Sequence, residues 1–197
     1  MVLTGFLVTF AGVIAGIAFA VWRSGQVSLR NPQPGSSIDG TWRTDFDIGS
    51  ENASGPLRAR IARKGLFALS RSEAVYYTRV VDDTGAPLDS TSTYKVTGTR
   101  MPCDWWSITL YNQDDHLAAN HDNAASINLD RLIGSPEHWT AIVGPTRPAE
   151  PTNWISTAGT TSFDLTLRLY QPDLDALTSG KVTGFPTVER LPVQTGA

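Results

Sequence analysis

The sequence has a single cysteine, Cys103, so neither an internal disulfide nor a multi-cysteine metal site is available to it. It holds only 3 histidines. It contains no phosphate-binding P-loop, no GxGxxG dinucleotide fingerprint and no CxxC pair. Charged residues make up 18% of it, and 16 cations against 19 acids leave a net charge of -3. Nucleic-acid binders are normally basic, so no nucleic-acid partner is expected. An apolar fraction of 41% excludes a disordered chain. What the sequence does have is 6 Trp, 5 Tyr and 17 Gly, the composition of a β-rich domain with tight turns.

Charge is absent altogether from Met1 to Trp22, MVLTGFLVTFAGVIAGIAFAVW. As a helix rising 1.5 Å per residue, this stretch spans about 33 Å, enough for a hydrocarbon core of about 30 Å. Residues 1–22 therefore read as a transmembrane anchor, with Trp22 and Arg23 at the interface. A cleaved signal peptide is the alternative, with Ala18-Phe19-Ala20 as its cleavage site. Gly12 and Gly16 form a GxxxG pair through which two copies would dimerise. Arg23 and Arg30 follow the anchor, and the positive-inside tendency would keep the domain in the cytoplasm. Residues 23–38, RSGQVSLRNPQPGSSI, read as a flexible tether, and residues 39–197 as the domain.

Pro56 to Ala74 carries Leu57, Ile61, Leu66 and Leu69 at helical spacing, so one amphipathic helix is expected, with a break near Gly65. It is basic, with Arg58, Arg60, Arg63 and Lys64 on it. Anionic headgroups or the acidic loops downstream would face those cations. Beyond it the period falls to two. Strands are expected at Ala74–Val81, Thr93–Thr97, Trp105–Tyr111, His138–Val143 and Phe163–Tyr170. Gly, Pro, Asn and Asp turns separate them, which points to a mainly β fold, a β-sandwich or jelly roll preceded by one helix.

Chemistry is harder to find. His116 and His121 lie among Asp114, Asp115 and Asp122, but their spacing fits no standard ligand set, so no metal is expected. Ser107 lacks a nucleophile elbow. Asp104 beside Cys103 disfavours a thiolate. No cofactor is expected. Trp42, Trp105, Trp106, Trp139 and Trp154 either fill the core or stack on a flat ligand, and one of Trp105 and Trp106 must point outward.

The string MPCDWWSITLYNQDDHLAAN resembles the central motif of the family called domain of unknown function 1214. So do YYTRVVDDTGAPLDSTSTYKV before it and NWISTAGTTSFDLTLRLYQP after it. The resemblance rests on Asp83, Gly85 and Leu88, on Tyr94, and on Pro102, Trp106, Ser107, Thr109 and Tyr111. It continues through Leu117 and Asn120, Asn153 and Trp154, and Arg168, Leu169, Tyr170 and Pro172. Cys103 and Asp104 stand where family members carry a small residue and often Arg. The resemblance implies a jelly-roll β-sandwich in a bacterial envelope protein, anchored in the inner membrane with its domain in the periplasm. That opposes the two-arginine bias and is preferred to it.

Two functions follow as expectations. The first is a non-catalytic envelope module that binds a glycan, a lipid or a protein partner. The second is an envelope hydrolase. Trp106, Tyr111, Asn120, Trp154 and Arg168 are the candidate ligand-binding residues of its cleft, with His116 or His121 as the acid-base group.

Overall fold

The structure is a computed structural model that describes residues 10–20, 41–63, 69–179 and 184–192. The expected tether, the ends of the expected anchor, Arg23, Arg30 and the expected break at Gly65 lie outside the described residues. Residues 10–20 form α1, with the side chains of Phe10, Val13, Ile14, Ile17 and Phe19 all more than half exposed. Among the described residues, no helix is long and apolar enough to cross a membrane.

The domain is mainly β, with two sheets. Its elements run β1 (Arg43–Thr44), α2 (Gly55–Arg63), β2 (Ala74–Arg79), β3 (Tyr94–Thr99), β4 (Cys103–Asn112), β5 (Ser126–Asn128) and β6 (His138–Gly144). After them come β7 (Asn153–Ser156), β8 (Phe163–Pro172), the short α3 (Leu174–Thr178) and β9 (Thr187–Arg190). One sheet has the order β1-β2-β8-β4-β5 and the other β7-β6-β3-β9. All pairings are antiparallel except β6 with β7, which is parallel. That pair departs from an all-antiparallel sandwich.

The core lies between the sheets and follows from strand alternation. Trp106, Ile108 and Leu110 of β4 and Leu165, Leu167 and Leu169 of β8 point inward. Tyr94 and Val96 of β3, Trp139, Ala141 and Val143 of β6, and Val188 of β9 meet them. Trp106 stacks on Trp139, ring centroids 4.7 Å apart and planes 23° off parallel, so this pair bridges the sheets. Gly98 makes room for it. Gly98 lies directly opposite Trp139 across the β3–β6 ladder, and a Cβ there would come within 2.2 Å of an indole carbon.

The expected helix is shorter than Pro56–Ala74, for Ala74 is the first residue of β2. A turn at Ser70–Glu73 precedes the strand. The Ser70 amide and hydroxyl both donate to the Glu73 carboxylate, and the Ala74 amide donates to the Ser70 carbonyl. Such side-chain capping competes with helical hydrogen bonding. Leu57 and Ile61 pack with Ile48, Ala53 and Tyr76 as expected of an apolar helix face, whereas Leu69 is exposed. Arg58 is used locally, donating to the Ala53 and Glu51 carbonyls.

Polar groups from distant parts of the chain close the open side of the sandwich. Trp42 Nε1 donates to the Pro186 carbonyl at 2.7 Å. Arg79, only 1% exposed, donates to the carbonyls of Val81 and Pro186 and pairs with Asp83 at 2.6 Å. Arg190 of β9 pairs with Asp82 and Asp89, each at 2.9 Å, and donates to Ser92 and the Pro87 carbonyl. Burial pushes the Asp82 carboxyl up. Hydrogen bonds from Thr84, Arg190 and the Ala86 and Thr84 amides outweigh it and hold its pKa down at about 2.

Candidate functional site

The side chains that alternate with the core residues form the outer face of the five-stranded sheet. On β4 these are Trp105, Ser107, Thr109 and Tyr111. On β8 they are Asp164, Thr166, Arg168 and Tyr170. The register sets Trp105 opposite Tyr170, Ser107 opposite Arg168, Thr109 opposite Thr166 and Tyr111 opposite Asp164. On the other side of β8, Tyr76 of β2 lies opposite Arg168. Arg168 therefore sits on the central strand with neighbours on both sides.

Its side chain is held by hydroxyls. Arg168 Nη1 donates to Thr109 Oγ1 at 3.0 Å, and Nη2 donates to the Tyr111 hydroxyl. The guanidinium carbon lies 5.4 Å from the Tyr111 ring centroid. Among the described residues, no carboxylate pairs with Arg168. The cation is half-buried, with neutral partners. Guanidinium has five N–H donors and accepts nothing. Thr109 and Tyr111 accept from it, so their own O–H groups are left as donors. Arg168 and Tyr111, both half-buried, present positive charge and N–H and O–H donors beside the buried Thr109, an arrangement suited to an oxyanion.

One end of this face is aromatic. Trp105 meets Tyr170 edge-on, centroids 5.2 Å apart at 68°. Trp105 Nε1 donates to Asp130 Oδ2 at 2.8 Å. Both rings are half-buried.

Of the five candidate residues, the structure brings Tyr111 and Arg168 together and separates the other three from them. Trp106 is 2% exposed and packed in the core, so its ring is closed to a ligand. Asn120 donates to the Ala158 carbonyl and accepts from the Asp122 amide, fixing a loop. Trp154 is buried on β7, its Nε1 donating to the Gly144 carbonyl, with Arg147 lying 4.6 Å from its ring centroid. The single cleft expected from the sequence therefore does not form from these five.

Trp105, Ser107, Thr109, Tyr170 and Tyr76 belong to the same face as Arg168 and were not among the candidates. The signal was present. In WWSITLY, Ile108 and Leu110 mark the inward positions, which sends Trp106 in and Trp105 out.

His116 and His121 are exposed, and neither pairs with a carboxylate among the described residues. Among those residues, no three His, Cys, Asp or Glu side chains gather into a metal-binding group. Burial, and after it the Asp104 carboxylate, push the Cys103 thiol up to about 11. Asp122 accepts from the buried Ser156 hydroxyl, and Ala158 N–H donates to that hydroxyl, so Ser156 ties two loops together.

No curated protein matches the chain. Its fold is similar to the crystal structure of the VPA0106 protein from Vibrio parahaemolyticus, with a TM-score of 0.57 and 22% identity. That match covers 70% of this chain and 35% of that one. An uncharacterised protein from Burkholderia cenocepacia matches at a TM-score of 0.44 and 20% identity, over 60% of this chain and 29% of the other. The chain thus spans about a third of the length of these solved structures. The family model described as "Protein of unknown function (DUF1214)" matches residues 73–174, from the turn before β2 to the start of α3. That segment is just over half of the chain and contains every residue of the Arg168 face described above. The chain belongs to the DUF1214 family.

Proposed function

We propose that this chain is a single-pass inner-membrane protein of the bacterial envelope, whose periplasmic β-domain is a non-catalytic binding module. The uncharged, apolar stretch at residues 1–22 and the exposed apolar side chains of α1 support the anchor. The binding face is the outer face of the five-stranded sheet, centred on Arg168. One observation carries this reading: a half-buried cation held in a fixed pose by two hydroxyls, without a carboxylate partner among the described residues. A cation that served the fold alone would normally be paired, as Arg79 and Arg190 are here.

Two measurements test this. A reporter enzyme active only after export, fused behind Ala197, is expected to be active in a full-length, membrane-bound product. An inactive fusion of normal abundance places the domain in the cytoplasm and ends the periplasmic reading. Melting of the full chain is then followed with solubilised envelope lipid and with cell-wall glycan fragments. At least one preparation is expected to raise Tm by several degrees, and Arg168→Gln to abolish the rise. No shift with either ends the ligand-module reading for those classes. Dimerisation through Gly12 and Gly16, where an added Cβ would meet no described residue within 4 Å outside the local helix backbone, is part of the proposal. Crosslinking that persists after both become Leu removes it.

A further inference from the structure

We infer that the outer face of the five-stranded sheet binds an acidic saccharide, its carboxylate on Arg168 and a pyranose ring against Trp105 and Tyr170. The inference rests on the binding-module reading and names its ligand class.

The charge argument comes first. The Arg168 guanidinium is held by two hydroxyl oxygens, so its plane is fixed before a ligand arrives. A carboxylate accepts two parallel N–H bonds from such a fork. Tyr111 adds an O–H donor beside it. A preset fork costs less ordering entropy on binding than a free side chain.

The aromatic argument is independent. Tyr170 is two residues beyond Arg168 on β8, and Trp105 two residues before Ser107 on β4, so both rings lie one step along the same face. Alternate residues on a strand stand roughly 7 Å apart. The guanidinium reaches the other way along the strands, to Thr109 and Tyr111, so cation and rings stand more than one such step apart. That separation suits an acid group and a flat C–H surface on different rings of an oligosaccharide. A bare phosphate would use Arg168 and leave the rings idle. Trp105 is also fixed, by its bond to Asp130 and its edge contact with Tyr170. Asp130 supplies a carboxylate at the aromatic end. It accepts from sugar hydroxyls there.

The test is calorimetric titration of the full chain in a polyoxyethylene detergent, which carries neither sugar nor charge. The probes are trigalacturonate, its methyl ester and inorganic phosphate. Trigalacturonate is expected to bind, with the ester at least tenfold weaker. Arg168→Gln and Trp105→Ala are each expected to weaken trigalacturonate at least tenfold, and Arg168→Lys to fall between parent and Gln. Arg100→Gln, at an exposed ion pair with Glu137, is the control and is expected to change nothing. Near-UV circular dichroism of the Trp106–Trp139 stack reports whether each variant is folded. Equal binding of ester and acid, or no effect of Arg168→Gln in a folded variant, overturns the inference. Phosphate binding as tightly as trigalacturonate, with Trp105→Ala silent, overturns the saccharide while leaving Arg168 as an anion site and the module reading intact. No binding of any probe overturns the inference alone, since the broader reading is decided by the lipid and glycan melting experiment.

Discussion

Replacing Gly98 with Ala is the sharpest test of how the two sheets are held together. Gly98 is on the core side of β3, opposite Trp139, and no left-handed φ is required of it. What it provides is the missing Cβ. An Ala methyl occupies the space of the Trp139 ring, so the indole must move. Overpacking of this kind costs about 1–3 kcal/mol. Moving the ring also breaks the 3.2 Å bond from Trp139 Nε1 to the Thr99 carbonyl, worth about 0.5–1.5 kcal/mol. It disturbs the stack on Trp106, worth about as much again. Ala recovers about 0.5–1 kcal/mol through its lower unfolded-state entropy. The net expectation is a loss of about 2–4 kcal/mol. Equilibrium urea unfolding, followed by tryptophan fluorescence and near-UV circular dichroism, measures it. The midpoint is expected to fall with the slope unchanged. In a Trp139→Ala background the same substitution is expected to cost almost nothing, because the obstructing ring is gone. A single substitution within 0.5 kcal/mol of the parent refutes the reasoning. So does an undiminished cost once the ring is removed.

The remaining predictions concern charge, a buried amide and the thiol. The folded-state pKa of Asp82 is depressed to about 2 from an ordinary 3.8, so its stabilisation of about 2 kcal/mol is full above pH 4 and lost as the pH falls toward 2. Urea midpoints measured from pH 6 to pH 2 are expected to drop more steeply for the parent than for Asp82→Asn; parallel slopes contradict this. Asn153 donates to the Ile133 and Thr140 carbonyls and accepts from the Ile133 amide, so Asn153→Ala is expected to cost about 2–4 kcal/mol in thermal unfolding. A loss under 1 kcal/mol would mean that water replaces these bonds. Cys103, half-buried with its thiol pushed up to about 11, is expected to react with a disulfide reagent at pH 7.5 at least tenfold more slowly than the urea-unfolded chain. Equal rates would place the thiol in contact with solvent.

Much of the β architecture was legible because one face of each long strand is apolar. FDLTLRLY alternates cleanly, and β8 forms there with Phe163, Leu165, Leu167 and Leu169 in the core. The short strands were not legible. In β7, Asn153 to Ser156 are all buried, so no alternation exists to be read. The parallel pairing of β7 with β6 is a long-range choice that local pattern does not encode. The helix was drawn too long because Leu57, Ile61, Leu66 and Leu69 continue its spacing, while the Ser70–Glu73 hydrogen bonds that form the turn are a side-chain effect. For the site, the chemistry of Tyr111 and Arg168 singled them out, but only register shows that they share a face with Trp105 and Tyr170. Trp106 was drawn into the site by its ring and is excluded by its position in the alternation.

The pairing of β3 with β9 sets a clock on biosynthesis. The Thr187 hydroxyl meets the Thr97 carbonyl across 90 residues, and Arg190 reaches back 108 residues to Asp82. At about 5–20 residues per second, a nascent chain waits roughly 5–20 s between making β3 and making the strand that covers its edge. Through that interval β3 presents unpaired backbone and the apolar row of Tyr94 and Val96. Local contacts complete early in helical bundles; here the seal at Pro186 and Arg190 waits for a strand about 90 residues further along the chain. A polypeptide with this timetable remains threadable until β9 is made, and during that window its exposed strand edge is open to a holding chaperone or to another copy of itself.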